Sequence, residues 1–183
     1  MRILPLDIAG AAILESDRHG DERGGFARWF CEHELSAVLN GASIRQMNHS
    51  TSLQCGTVRG MHFQYAPQAE KKIIRCLAGR IFDVVLDLRA GSETFLQWRG
   101  VELSGGDDRA LLIPEGCAHG FQTLSDQVQM LYLHTAFYAP ELEAAVAYND
   151  PRVQIAWPLP ITVVSDRDRQ HPYLPVDFFG ITL

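Results

Sequence analysis

Apolar residues recur at every second position through most of the middle of the chain. In the stretch IFDVVLDLR, Phe82, Val84, Leu86 and Leu88 alternate with Ile81, Asp83, Val85, Asp87 and Arg89, which predicts a half-buried strand with one dry face. KKIIRCL, WRGVELSG, RALLIP and VQMLYLHT read as similar short strands, separated by the turn pairs Ala78-Gly79, Ala90-Gly91, Gly105-Gly106 and Ser125-Asp126. One segment is helical in character: CEHELSAVLN, residues 31 to 40, is built of good helix formers and stops at Asn40-Gly41. Strands arriving about every ten to fifteen residues, with almost no central helix, predict an all-β fold, an antiparallel barrel or jelly roll. The last part of the chain carries Pro140, Pro151, Pro158, Pro160, Pro172 and Pro175, so it is expected to wrap the barrel irregularly and to close one of its mouths.

Composition narrows the picture. The 183 residues, 46% hydrophobic and 21% charged, suffice for one well-filled core and no repeat or linker divides them, so a single domain over residues 1–183 is expected. The net charge of -6 is dispersed, without the basic cluster that nucleic acid binding needs; isolated arginines remain able to hold a small phosphorylated ligand. Pro5, Asp7 and Gly10 interrupt the apolar N-terminal stretch before it forms a secretory h-region, and no apolar run approaches the roughly 18 to 20 residues of a membrane span. A cytoplasmic protein without membrane insertion is expected. Cys31, Cys55, Cys76 and Cys117 lie far apart with no Cys-x-x-Cys pair, three of them among apolar neighbours, and read as free thiols.

Two motifs carry chemistry. IPEGCAHGF presents His119 on a Pro-x-Gly-x-x-His turn of the kind that many small barrels use for one ligand of a metal triad. Such a site usually takes two further imidazoles from a His-x-His pair, but RGMHFQ offers His62-Phe63-Gln64, and the next glutamate, Glu70, lies beyond Pro67. A metal-free pocket is the better reading, and His119 taken alone reads as a hydrogen-bonded structural histidine at a strand start. Period-two geometry puts Gly60, His62 and Gln64 on one face and Met61 and Phe63 on the other; Arg59 joins His62 only if Gly60 carries a bulge. Met130, Tyr132 and His134 share a face. Taken singly, Tyr132 reads as core packing, Lys72 as a solvated strand start and Asp168 as a loop charge.

Together, DERGGFARWF, QMNHS, GTVRGMHFQ, KKIIRC, GRIFDVVLDLR, GVELS, LLIPEGCAHGFQTLSD, LYLHTAFYAPELE, YNDPRVQIAWPL and VSDRD give the chain a likeness along nearly its whole length: it resembles the dTDP-4-dehydrorhamnose 3,5-epimerase family. The resemblance implies a cupin-type jelly roll (a double-stranded β-helix barrel), a homodimer and no metal or other cofactor. It implies His62 as general base, Asp168 as the carboxylate orienting it, Tyr132 as general acid and Lys72 beside the sugar carbonyl oxygen. Arg59, His119, Gln46, Asn48 and Glu143 fall on substrate-binding positions, and Arg23 and Phe26 on positions that reach the nucleotide of the neighbouring subunit. The chain departs from the family at Arg23-Gly24-Gly25-Phe26, where Arg-Gly-Phe-Phe is usual, at Arg28, where a glutamate is common, at Ala144-Ala145 in place of Arg-Gly, and at Leu133-His134 in place of Lys-Thr.

The implied chemistry is consistent with these groups. In a 4-keto sugar, loss of the proton at C3 or C5 leaves an enolate with its charge on O4, and inversion needs a base on one face and a proton donor on the other. Imidazole paired with a carboxylate suits the first task, tyrosine the second, and lysine the developing oxyanion. Other readings are a single-site epimerase or 3,4-ketoisomerase of the same barrel, a metal-dependent cupin using His62, His119 and a carboxylate, and a binding module without turnover.

Overall fold

The alternating segments become strands in two facing antiparallel sheets. A computed structural model describes residues 1–183. In chain order the elements are β1 (Arg2–Pro5), β2 (Ala12–Glu15), β3 (Arg18–Asp21), β4 (Gly24–Ala27), α1 (Ser36–Leu39), β5 (Gln46–Ser52), β6 (Val58–Gln64), β7 (Lys72–Ala78), β8 (Arg80–Asp87), β9 (Trp98–Ser104), β10 (Arg109–Ile113), β11 (Cys117–Thr123), β12 (Val128–His134), β13 (Glu143–Ala145) and α2 (Asp166–Arg169). One sheet runs β1-β2-β10-β7-β12-β5, the other β13-β6-β11-β8-β9, and β3 and β4 form a separate hairpin. The main core lies between the sheets. Ile13, Ile74, Leu111 and Met130 from the first meet Ile81, Val85, Leu103 and Phe121 from the second. Burying each such side chain contributes roughly 1.5–3 kcal/mol, which is what holds the sheets face to face.

Both sheets are also covered outside, and this corrects the expected half-buried strand. Val84 and Leu86 on β8 and Leu88 just after it point outward, where Val146, Val153, Ile181, Trp157 and Phe178 of the C-terminal wrap bury them. The opposite, polar-bearing face turns into the barrel: Ile81 and Val85 join the core, and Asp83 and Asp87 are fully buried. Asp87 is satisfied there by Arg89, Ser92 and Thr94. The outer face of the first sheet is capped by Leu35 and Leu39, packed on Leu14, Ile73 and Leu112. The helix expected over residues 31 to 40 shrinks to α1, with turns before it, because packing needs only that last apolar turn. Its stop is as expected, with Asn40 left-handed at φ 50° and Gly41 at φ 81°. Beyond β13 the wrap is irregular apart from α2. All four cysteines are free, but only Cys76 and Cys117 are buried; Cys31 and Cys55 are half-buried.

The bulge required to bring Arg59 beside His62 is present. His119 pairs with His62 and Phe121 with Arg59, so Gly60 and Met61 together face Gly120. Gly60 has φ +129°, and a Cβ there would lie 2.5 Å from Gly120 Cα and 2.9 Å from the His119 carbonyl oxygen. A Gly60→Ala variant is therefore expected to lose about 3 kcal/mol of stability, measured as a lowered urea midpoint, because neither backbone can yield without breaking the β6–β11 ladder.

Candidate active site

A cavity of about 500 Å³ lies between the sheets, where the main core does not fill the barrel. One wall is β6 and β11, contributing Arg59, His62, Gln64, His119 and Phe121; the facing wall is β5, β7 and β12, contributing Gln46, Asn48, Ser50, Lys72, Tyr132 and His134. The C-terminal wrap closes one side with Ser165, Arg167 and Asp168, which fulfils the expectation that it shuts a mouth.

Asp168 is the least foreseeable member. The wrap is tied to β6 through Val58 N, which donates to Val163 O at 2.9 Å. Ser165 then caps α2, its hydroxyl accepting from Asp168 N at 3.1 Å. That turn aims the carboxylate inward, where it is 4% exposed and accepts from His62 Nε2 at 2.8 Å and from Gly60 N at 3.3 Å. Burial alone would raise the Asp168 pKa, but the His62 hydrogen bond and charge outweigh it and hold the carboxyl below its usual range. The group stays an anion, and the imidazole is fixed with Nδ1 as the nitrogen not engaged by it.

Tyr132 stands on the facing sheet, its hydroxyl bonded to Ser50 Oγ at 3.0 Å. Burial pushes its pKa up to about 12, so the phenol keeps its proton at any physiological pH. Its ring lies edge-on to His119, whose Nε2 is hydrogen-bonded with Asp83 Oδ1 at 2.6 Å. Burial lowers the His119 pKa and raises that of Asp83, so this pair is driven away from full charge separation. His119 is thus a hydrogen-bonded histidine that also lines the cavity. Lys72, which alone looked like a solvated strand start, is buried; its Nζ donates to the His62 carbonyl at 3.2 Å and lies 3.4 Å from Glu70 Oε1.

Arg59 is held by Ser52 Oγ and the Thr51 carbonyl, Gln46 accepts from Tyr138 N, and Glu143 accepts from Tyr138 and Arg167. Asn48 meets His134. Arg23 and Phe26 are not brought to this cavity: they sit on the β3–β4 hairpin, Phe26 71% exposed and Arg23 paired only with Asp21. Residues the sequence reading missed are Ser50, Glu70, Asp83, Arg167 and His171. Ser50 shares the parity of Gln46 and Asn48 on β5, a signal that was available. His171 packs edge-on to His62, with Nε2 3.5 Å from Asp168 Oδ1. Donor atoms of His62, Asp168 and His171 all lie within 4.8 Å of one another. The 2.8 Å contact in this set is that of a hydrogen-bonded dyad; ligands sharing a tetrahedral ion at about 2.0–2.1 Å stand farther apart.

A two-sheet barrel with an imidazole–carboxylate dyad on one wall and a neutral phenol on the other defines a cupin-type protein equipped for acid–base chemistry. Residues 5–175 match the family described as dTDP-4-dehydrorhamnose 3,5-epimerase, and the chain belongs to that family of isomerases. It is 38% identical to the dTDP-4-dehydrorhamnose 3,5-epimerase of Shigella flexneri, over 98% of this chain and 99% of that one. The solved structure of the Legionella pneumophila dTDP-6-deoxy-D-glucose-3,5-epimerase in complex with dTDP-4-keto-L-rhamnose superimposes with a TM-score of 0.89 at 36% identity, covering 100% and 98% of the two chains. A 3'-monoepimerase from Streptomyces bikiniensis, in complex with dTDP-quinovose, superimposes with a TM-score of 0.85 at 34% identity, covering 93% and 86%.

The Tyr132 environment has a measurable consequence. Its folded pKa, about 12, lies above the ordinary value of 10, so any stability linked to this group is intact below pH 10 and is lost as pH rises toward 12. The loss through this group is roughly 3 kcal/mol. Phenolate absorbance should show one tyrosine titrating near pH 12 that disappears in Tyr132→Phe, and that variant should lose less stability across the same interval.

Proposed function

We propose that the chain epimerises a 4-keto-6-deoxy nucleotide sugar of the dTDP-4-dehydro-6-deoxyglucose type at C3 and C5. The observation that carries this reading is the buried His62–Asp168 dyad facing the protonated Tyr132 across one cavity. His62 removes the proton α to the ketone, and Asp168 stabilises the imidazolium that forms. Charge moves onto O4, and the Lys72 ammonium lining the cavity serves as its oxyanion partner, a donor worth roughly 3 kcal/mol in comparable oxyanion sites. Tyr132 returns a proton from the opposite wall, which inverts the carbon, and solvent restores both groups. Protons alone are moved, with no net oxidation, so the cycle calls for no cofactor. Arg59 and Arg167 line the cavity and are the cations this reading assigns to the diphosphate, with Gln46, Asn48, His119 and Glu143 lining the same cavity.

The 183 residues act in this reading as a single epimerase domain in the cytoplasm; no helix is long and apolar enough to cross a membrane. The exposed β3–β4 hairpin carries Arg23 and Phe26 away from their own cavity, which supports a homodimer in which they reach the partner's nucleotide. A second reading, inversion at C3 alone, is favoured by the likeness to the Streptomyces bikiniensis 3'-monoepimerase.

Incubation with dTDP-4-dehydro-6-deoxyglucose in deuterated water separates these readings. Deuterium is expected at both C3 and C5 by NMR, and at C3 alone under the second reading. His62→Ala should lower incorporation by about 100- to 10,000-fold, and Tyr132→Phe should slow or redirect it. Absence of exchange in the native protein would end the epimerase reading. Light scattering is expected to give twice the monomer mass of 20.5 kDa, falling toward the monomer in Phe26→Asp.

A further inference from the structure

In the sequence Glu70 lies beyond Pro67, and Leu133-His134 stands in place of the Lys-Thr that often follows the family's tyrosine. The fold brings both to the lysine. Gln64 Nε2 donates to Gln68 O at 2.9 Å and folds the loop back on itself, while Thr135 and Lys71 pin the neighbouring strand ends through Lys71 N to Thr135 Oγ1 at 2.8 Å. His134 lies directly across the ladder from Lys72. Glu70 is buried between them, with Oε1 3.4 Å from Lys72 Nζ and Oε2 accepting from His134 Nδ1 at 2.8 Å. On the far side of the ring, Asn48 Nδ2 lies 3.4 Å from His134 Nε2.

A carboxylate at Nδ1 requires a proton there, so His134 donates to Glu70 through Nδ1, while Nε2 faces the Asn48 amide. An ammonium has three N–H donors. One goes to the His62 carbonyl and one faces Glu70, which leaves one uncommitted. Glu70 thereby sets the rotation of the ammonium, and His134 sets the position and the effective charge of Glu70. We infer that Glu70 and His134 form a positioning pair for Lys72, aiming its remaining N–H at the oxyanion of the substrate; this rests on the epimerase reading above. Both residues act in this inference through Lys72 and not on the reacting carbons. Their contribution is preorganisation, since an oxyanion donor that need not reorient during reaction is worth more than a mobile one.

Two measurements test this, one of them independent of turnover. Side-chain 15N NMR of the native chain should show His134 protonated at Nδ1, with a downfield proton that moves upfield in Glu70→Gln, where a neutral amide replaces the charged acceptor. An Nε2–H tautomer, or a proton indifferent to Glu70→Gln, overturns the pair whether or not the protein turns over sugar. In kinetics, Glu70→Gln and His134→Leu should each lower kcat about tenfold while KM stays within about twofold. His134→Asn, whose amide N–H stands near the Nδ1 position, should recover most of the loss. A loss confined to KM, or an equal loss in His134→Asn and His134→Leu, contradicts the inference.

Discussion

The hydrogen bond between His62 and Asp168 joins residues 106 positions apart, and the site is organised around it. One partner comes from an inner-facing strand position, the other from a one-turn helix in an otherwise irregular wrap. Their meeting depends on the Gly60 bulge, which offers a backbone N–H to the same carboxylate, and on the Ser165 cap, which sets the helix turn. A carboxylate this buried needs its partners: removing one from such a pair typically costs about 3–5 kcal/mol, because the remaining charge is stranded. The dyad is thus a structural clasp between wrap and barrel as well as a device for orienting an imidazole.

The barrel supplies what a carbon acid requires and a single sheet cannot, which is chemistry from two opposed directions. His62 belongs to the five-stranded sheet and Tyr132 to the six-stranded one, so the hydrophobic core that packs the sheets together also sets the separation of base and acid. Burial acts on the two groups differently. It leaves Asp168 ionised because His62 compensates it, and it keeps Tyr132 protonated because no strong cation does. Lys72 occupies the same wall as Tyr132, one strand away, and its buried charge is balanced by Glu70.

Much of this was legible in the residues. Alternation gave the strands, Asn40-Gly41 the stop of the helical segment, and the parity of Arg59 and His62 the need for a bulge at Gly60. The missing second histidine of His-x-His pointed away from a ligand triad. Alternation could not say which face of β8 turns inward, because the apolar outer face is buried by the C-terminal wrap from Val146 to Ile181, and so the burial of Asp83 was not legible. Lys72, Asp168 and Glu70 were single charges in the sequence; only three-dimensional closure makes them neighbours. The resemblance to a known family named the first two, and Glu70, His171 and Arg167 emerged from geometry alone.

The account stands on an imidazole made competent by its carboxylate, and the most direct measurement is deuterium exchange into a 4-keto-6-deoxy nucleotide sugar by Asp168→Asn, alongside calorimetric binding of the same ligand. The amide keeps the shape of the side chain but cannot stabilise an imidazolium, so exchange is predicted to fall by about 100- to 10,000-fold with binding largely retained. Exchange at the native rate in that variant would contradict the account.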